Sequence, residues 1–146
     1  MLRANLLGLA LLGLTVAGAA RAQDTIQPGY WEVTSKVEAV IRKTSQERRC
    51  ISPAQAAKFD QGPANKRFTC TYPTRVFENG RIVLKGTCVD KKGKPAQIAI
   101  TGSYSPSSFQ MIADVNATLG GAPINAKFST DARRLGDACP AGAKAG

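Results

Sequence analysis

"YWEVTSKVEAV", residues 30–40, decides the fold. Trp31, Val33, Ser35, Val37 and Ala39 fall on one face of an extended chain, with Glu32, Thr34, Lys36 and Glu38 on the other. Side chains alternate across a strand, so this pattern predicts a half-buried strand entered through a Pro28-Gly29 turn. Trp31 is in phase with Val33 and Val37, which places it in the core and not on the surface as a sugar-stacking platform.

Outward from this strand, residues 40–50, "VIRKTSQERRC", continue as a polar second or edge strand kept soluble by Arg42, Lys43, Arg48 and Arg49. Ser52, Pro53 and Gln55 then form a helix-start signal of N-cap, first helical position and capping-box partner. The predicted helix runs from Pro53 to Phe59 and stops at Gly62-Pro63. The rest is a meander. Asn79-Gly80 is a strong hairpin signal between "RFTCTYPTRVF" and "RIVLKGTCV". "KKGKP", Pro106-Ser107-Ser108 and Gly120-Gly121-Ala122-Pro123 make the later turns. Between the last two, Phe109, Met111, Ala113, Val115, Ala117 and Leu119 share one face. Roughly six or seven antiparallel strands with one apolar face cannot stand flat in water. The expected fold is therefore mainly β, an antiparallel meander curled into a partial barrel, with one short helix and two disulfides.

The chain start fixes the expected compartment. Arg3, the apolar run Leu6 to Val16 and the small-residue site Ala20-Arg21-Ala22 form a signal peptide over residues 1–22. Its removal leaves 124 residues: a single β-rich domain over 23–139 and a disordered tail over 140–146. No later segment is apolar enough to span a bilayer, so no stable membrane span is expected after cleavage, and the protein is expected to be periplasmic or secreted.

Four cysteines, Cys50, Cys70, Cys88 and Cys139, then read as two structural disulfides. No Cys-x-x-Cys pair is present, and the chain has no histidine, so redox, zinc and Cys-nucleophile chemistry lack their usual partners. Cys50, one residue before the helix-start signal, is expected to be tied and unreactive. Cys50 with Cys70 would bracket the helix and staple it to the sheet, leaving Cys88 with Cys139. The rival connectivity pairs Cys70 with Cys88, nearly opposite across Asn79-Gly80. Four cysteines allow three connectivities, and spacing does not choose among them.

Together, "PGYWEVT", "CISPAQAA", the spaced Cys70 and Cys88, and "RRLGDACP" resemble a family of small exported proteobacterial proteins, the domain of unknown function 3617. The resemblance runs from Pro28 to Cys139. Two departures are visible. The ending Gly136-Asp137-Ala138-Cys139 is one residue longer than the usual Gly-x-Cys, and the long Met-rich loop common after the first strand is missing. The resemblance implies a periplasmic β-rich domain and carries no activity, substrate or catalytic residue to transfer.

Composition limits the chemistry further. There is no Gly-x-Ser-x-Gly elbow, no Ser-x-x-Lys pair and no calcium-type acidic loop. The ten acidic residues are scattered as strand-face and turn residues. No catalytic residue, metal or cofactor is therefore expected. Net charge is the outward-pointing feature: it is +10, falling to +8 once Arg3 and Arg21 leave with the signal peptide. The candidate ligand-binding residues are Arg42, Lys43, Arg48, Arg49, Arg133 and Arg134, with Lys91, Lys92 and Lys94 together in one turn. In an exported protein such charge points to an anionic lipid or polysaccharide of the envelope, and not to nucleic acid. The expected protein is a monomeric, non-catalytic binding module. The alternative is an accessory domain that meets an envelope protein through its sheet edges.

Overall fold

The computed structural model describes residues 25–63 and 66–145, so the predicted signal peptide lies outside the described residues. Seven long strands are present among them: β1 (Gly29–Glu38), β2 (Arg42–Ile51), β3 (Phe68–Glu78), β4 (Arg81–Asp90), β5 (Pro95–Ser105), β6 (Ser108–Leu119) and β7 (Ala122–Gly136). A two-residue strand, β8 (Lys144–Ala145), follows. All join one sheet in the order β3-β4-β5-β6-β7-β1-β2-β8, with every pairing antiparallel except β2–β8. β3 and β8 are free edges, so the sheet is not closed. It is a mainly β, partly curled sheet with one short helix, as the alternation requires.

β1 ends at Glu38, and Val40 and Ile41 belong to the turn that starts β2, not to a strand. Asn79 and Gly80 close the β3–β4 hairpin with positive φ at both residues, the geometry that twisted two-residue hairpins demand. The helix is shorter than predicted. α1 (Pro53–Ala56) carries the expected capping box between Ser52 and Gln55, and a separate 3-10 turn spans Phe59–Gln61. The break brings Phe59 onto the sheet, where its ring meets those of Phe77, Tyr104 and Phe109 edge-on or tilted.

The core gathers under this lid. Trp31, Ile82, Leu84 and Ile100 are fully buried, joined by Ile26 from the segment before β1 and Ala56 from α1. Phe59 touches rings on β3, β5 and β6, and Trp31 on β1 lies 5.6 Å from Phe109 on β6. One small lid reaches strands that far apart because the sheet curls around it.

The favoured cysteine pairing is overturned: Cys50 joins Cys139 and Cys70 joins Cys88. Cys50 on β2 and Cys70 on β3 stand near opposite edges of the sheet, with β4, β5, β6, β7 and β1 between them. Cys70 and Cys88 are directly opposed in the β3–β4 ladder, which makes the rival bridge local. The other bridge holds the chain end on β2, where Lys144 and Ala145 pair with Arg49 and Cys50. Ordered pairing thus replaces part of the predicted disordered tail. No free cysteine remains among the described residues.

Candidate functional site

The lid leaves part of the apolar face uncovered. Beyond it lies a groove of about 360 Å³. Its floor is made by Ile98 and Ile100 of β5 with Met111, Ala113 and Val115 of β6, and Phe128 of β7 forms one wall. The Cys70–Cys88 bridge and Tyr72 form the other wall. These side chains share a face because they are in register: Ile100 opposes Ala113, Ile98 opposes Val115, and Ala113 opposes Phe128. Space remains because Ala96 and Ala113 are too small to fill the distance between larger neighbours. At the lid end, the Tyr72 hydroxyl donates to the Pro63 carbonyl at 3.4 Å, and burial pushes the phenol pKa up. A second cavity of about 340 Å³ continues past Met111 and Thr130, which line both, towards Arg49, Gln55 and Phe59.

The opposite face is polar and centres on Glu32. Arg133 of β7 donates to Glu32 Oε1 through Nε at 2.9 Å and Nη2 at 2.6 Å. Arg48 of β2 donates to Oε2 through Nε at 3.1 Å. Both partners stand directly opposite Glu32 in the ladders on either side of β1. The Arg133 hydrogen bonds first, and Arg48 second, hold the Glu32 carboxyl below the usual carboxylate range. Glu32 and Asp131 line a groove of about 550 Å³ on this face with Thr34, Ser108 and Gln110. Two carboxylates in a cleft are the layout of a glycosidase, but its general acid needs a raised pKa. Glu32 is shifted the other way, because its two arginine partners favour the carboxylate form.

The six predicted basic residues do not form one patch. Arg48 and Arg133 clamp Glu32 on the polar face. Arg134 is inward and structural: it donates to the Pro28 carbonyl at 2.8 and 2.6 Å and pairs with Asp137. Arg49 pairs with Glu47 and lines the second apolar-face cavity. Arg42 and Lys43 stand at the other end of β2, and among the described residues no ion pair engages either. Lys43 opposes Val37, which opposes Phe128 on its other side, so Lys43 shares the apolar face at the flank of the groove.

Two features are not legible in the sequence alone. Glu32 appears there as one more polar-face residue, and only the placement of β1 between β7 and β2 reveals the clamp. The groove residues read as core, because alternation marks an apolar face without saying what covers it. No group of three or more His, Cys, Asp or Glu side chains among the described residues is arranged to hold a metal ion.

No curated protein and no solved structure matches the chain. A family model described as protein of unknown function (DUF3617) matches residues 26–139, from the buried Ile26 under the lid to the disulfide-bonded Cys139. The chain belongs to the family DUF3617.

Proposed function

We propose that this protein is a non-catalytic binding module of the cell envelope, periplasmic or secreted, which shelters the acyl chain of an anionic lipid. The observation that carries the reading is the apolar groove of about 360 Å³ beside the lid. Its size lies within the range of about 300–1,000 Å³ common for small-molecule sites, and its lining is aliphatic and aromatic. Lys43 at its flank supplies charge for an anionic head. A polysaccharide fits less well, because the lone tryptophan is 0% exposed and offers no stacking face. The sheet edges suit a partner strand poorly. β3 carries Pro73 and a register shift between Thr71 and Thr74, and β2, which β8 covers only at Arg49 and Cys50, carries five charged residues between Arg42 and Arg49. Two disulfides support an oxidising compartment, and no helix among the described residues is long and apolar enough to cross a membrane.

A displacement titration tests this reading. Delipidated protein is titrated with a fluorescent fatty acid whose emission rises in apolar surroundings. Saturable binding, competed by an unlabelled fatty acid and weakened at high salt, is expected for the wild type. Ala113→Trp projects an indole into the groove and is expected to weaken binding at least about tenfold while the protein stays folded. Absence of saturable binding, or equal affinity in Ala113→Trp, rejects the acyl-chain reading.

A further inference from the structure

The two ends of the sheet differ in chemistry. Because β3 to β7 and β1–β2 are antiparallel, the β1–β2, β4–β5 and β6–β7 turns all emerge at one end. The three most exposed large hydrophobic side chains are there: Val40 at 95% and Ile41 at 71% in the first turn, and Leu119 at 65% beside the last. Scattered exposed apolar residues need no explanation, but these three lie on turns at the same end of the sheet, the β1–β2 turn starting level with Lys127 and the β6–β7 turn five residues further along β7.

The same end is basic. Lys91, Lys92 and Lys94 occupy the β4–β5 turn, and Arg42 and Lys43 follow Ile41 directly. Asp90 and Glu38 offset part of this charge, but five cations against two carboxylates leave the end net positive. Asp90 Oδ1 accepts the backbone N–H groups of Lys92 at 2.8 Å and Lys94 at 2.9 Å, which ties its carboxylate to the turn backbone. Glu38 stands opposite Arg42 where the hairpin closes. At the opposite end the turns are Asn79-Gly80 and Pro106-Ser107, and neither holds a large exposed aliphatic side chain.

We infer that the end carrying Val40, Ile41, Leu119 and the Lys91-Lys92-Lys94 turn docks on an anionic phospholipid bilayer. Apolar tips sink into the headgroup boundary, and the cations meet the lipid phosphates around them. Apolar insertion combined with a basic cluster is what reversible attachment to an anionic leaflet requires. A protein partner would have to match both features with an apolar, acidic surface, whereas an anionic leaflet presents both over any area. The docked end is also where Phe68, Ala96 and Cys88 bring the groove to the sheet terminus, but docking does not depend on the groove being filled.

Flotation with vesicles tests the inference. Vesicles of phosphatidylglycerol with phosphatidylcholine are compared with phosphatidylcholine alone. The wild type is expected to float with the anionic vesicles, and high salt is expected to release it. Lys91→Gln/Lys92→Gln/Lys94→Gln keeps the Asp90 backbone bonds and is expected to bind on the order of a hundredfold more weakly. Val40→Ser/Ile41→Ser/Leu119→Ser alters only exposed side chains and is also expected to lose flotation. Ala113→Trp is expected to float like the wild type, so a failure of the groove reading is distinguishable from a failure of docking. Near-ultraviolet circular dichroism from Trp31 checks that each turn variant is folded, and a urea unfolding transition checks Ala113→Trp, which carries a second indole. Wild-type protein that ignores anionic vesicles, or folded turn variants that float normally, overturns the inference.

Discussion

Arg133 grips Glu32 with two hydrogen bonds to one oxygen, at 2.9 and 2.6 Å, across strands that lie 101 residues apart in sequence. Arg48 holds the second oxygen, so the carboxylate bridges β7, β1 and β2. Its pKa is lowered in the native state by these partners, and that of Asp90 by the backbone N–H groups of Lys94 and Lys92. A carboxyl whose native pKa lies below its unfolded value stabilises the fold fully above the unfolded value, near pH 4. That contribution is lost as pH falls through the native value, because the unfolded chain takes up its protons first. Urea midpoints measured from pH 7 down to pH 3 are therefore expected to decline. Glu32→Gln is expected to lower the midpoint at pH 7 and to flatten the decline. An unchanged slope in Glu32→Gln would place the acid sensitivity elsewhere.

Trp31 is the second test. It is fully buried, faces the Phe109 ring at 5.6 Å and donates from Nε1 to the Gln27 carbonyl at 3.1 Å. Trp31→Ala removes a large buried ring and is expected to cost about 3–5 kcal/mol by urea unfolding, enough to unfold a marginal domain. Trp31→Phe keeps most of the ring volume and is expected to cost less. As the only tryptophan, Trp31 also gives a direct optical readout. Native emission is expected to be blue-shifted and resistant to acrylamide; red-shifted, readily quenched emission would show that the lid does not seat on β1.

The two disulfides constrain very different loops. Cys70–Cys88 spans 18 residues and Cys50–Cys139 spans 89. Chain-entropy arguments assign about 3 kcal/mol to the short loop and about 4.5 kcal/mol to the long one. Cys50→Ser/Cys139→Ser is therefore expected to lower the urea midpoint more than Cys70→Ser/Cys88→Ser. A non-reducing digest checks the premise, because the Cys50 peptide should travel with the Cys139 peptide. A Cys50–Cys70 peptide would refute the connectivity outright.

Local chemistry carried most of the legible fold, and non-local pairing the rest. Alternation from Trp31 to Val37 identifies β1, Ser52 and Gln55 identify the start of α1, and Asn79-Gly80 identifies a hairpin. That hairpin brings Cys70 opposite Cys88, so this bridge was visible as the rival pairing. Cys50–Cys139 was not, because it depends on β1 entering the sheet between β7 and β2. The same insertion creates the Arg48–Glu32–Arg133 clamp, which joins three distant segments. Arg133 and Arg134 show how little a charge run says of its role: neighbours in sequence, they point to opposite faces, one to Glu32 and one to the Pro28 carbonyl. The groove stayed hidden for another reason. Met111, Ala113 and Val115 carry the same apolar pattern whether the lid reaches them or stops short.

Gly86 tests the curled sheet at the point where β3 breaks register. A Cβ placed there would lie 1.9 Å from the Thr71 carbonyl oxygen and 2.9 Å from the Tyr72 Cα. Those atoms belong to the shifted segment between Thr71 and Thr74, so the obstruction is backbone and cannot swing aside as a side chain would. Alanine normally suits a strand better than glycine, because it loses less backbone freedom on folding. Here the order reverses: Gly86→Ala is expected to destabilise by about 1–3 kcal/mol, in the range of overpacking. Gly136 is the control, since a Cβ there meets nothing within 4 Å, and Gly136→Ala is expected to stay within about 0.5 kcal/mol of the wild type. Urea unfolding of both variants decides the matter. Equal midpoints would mean that β3 does not approach β4 through this bulge, and Tyr72 would lose the backbone position that aims it at the groove.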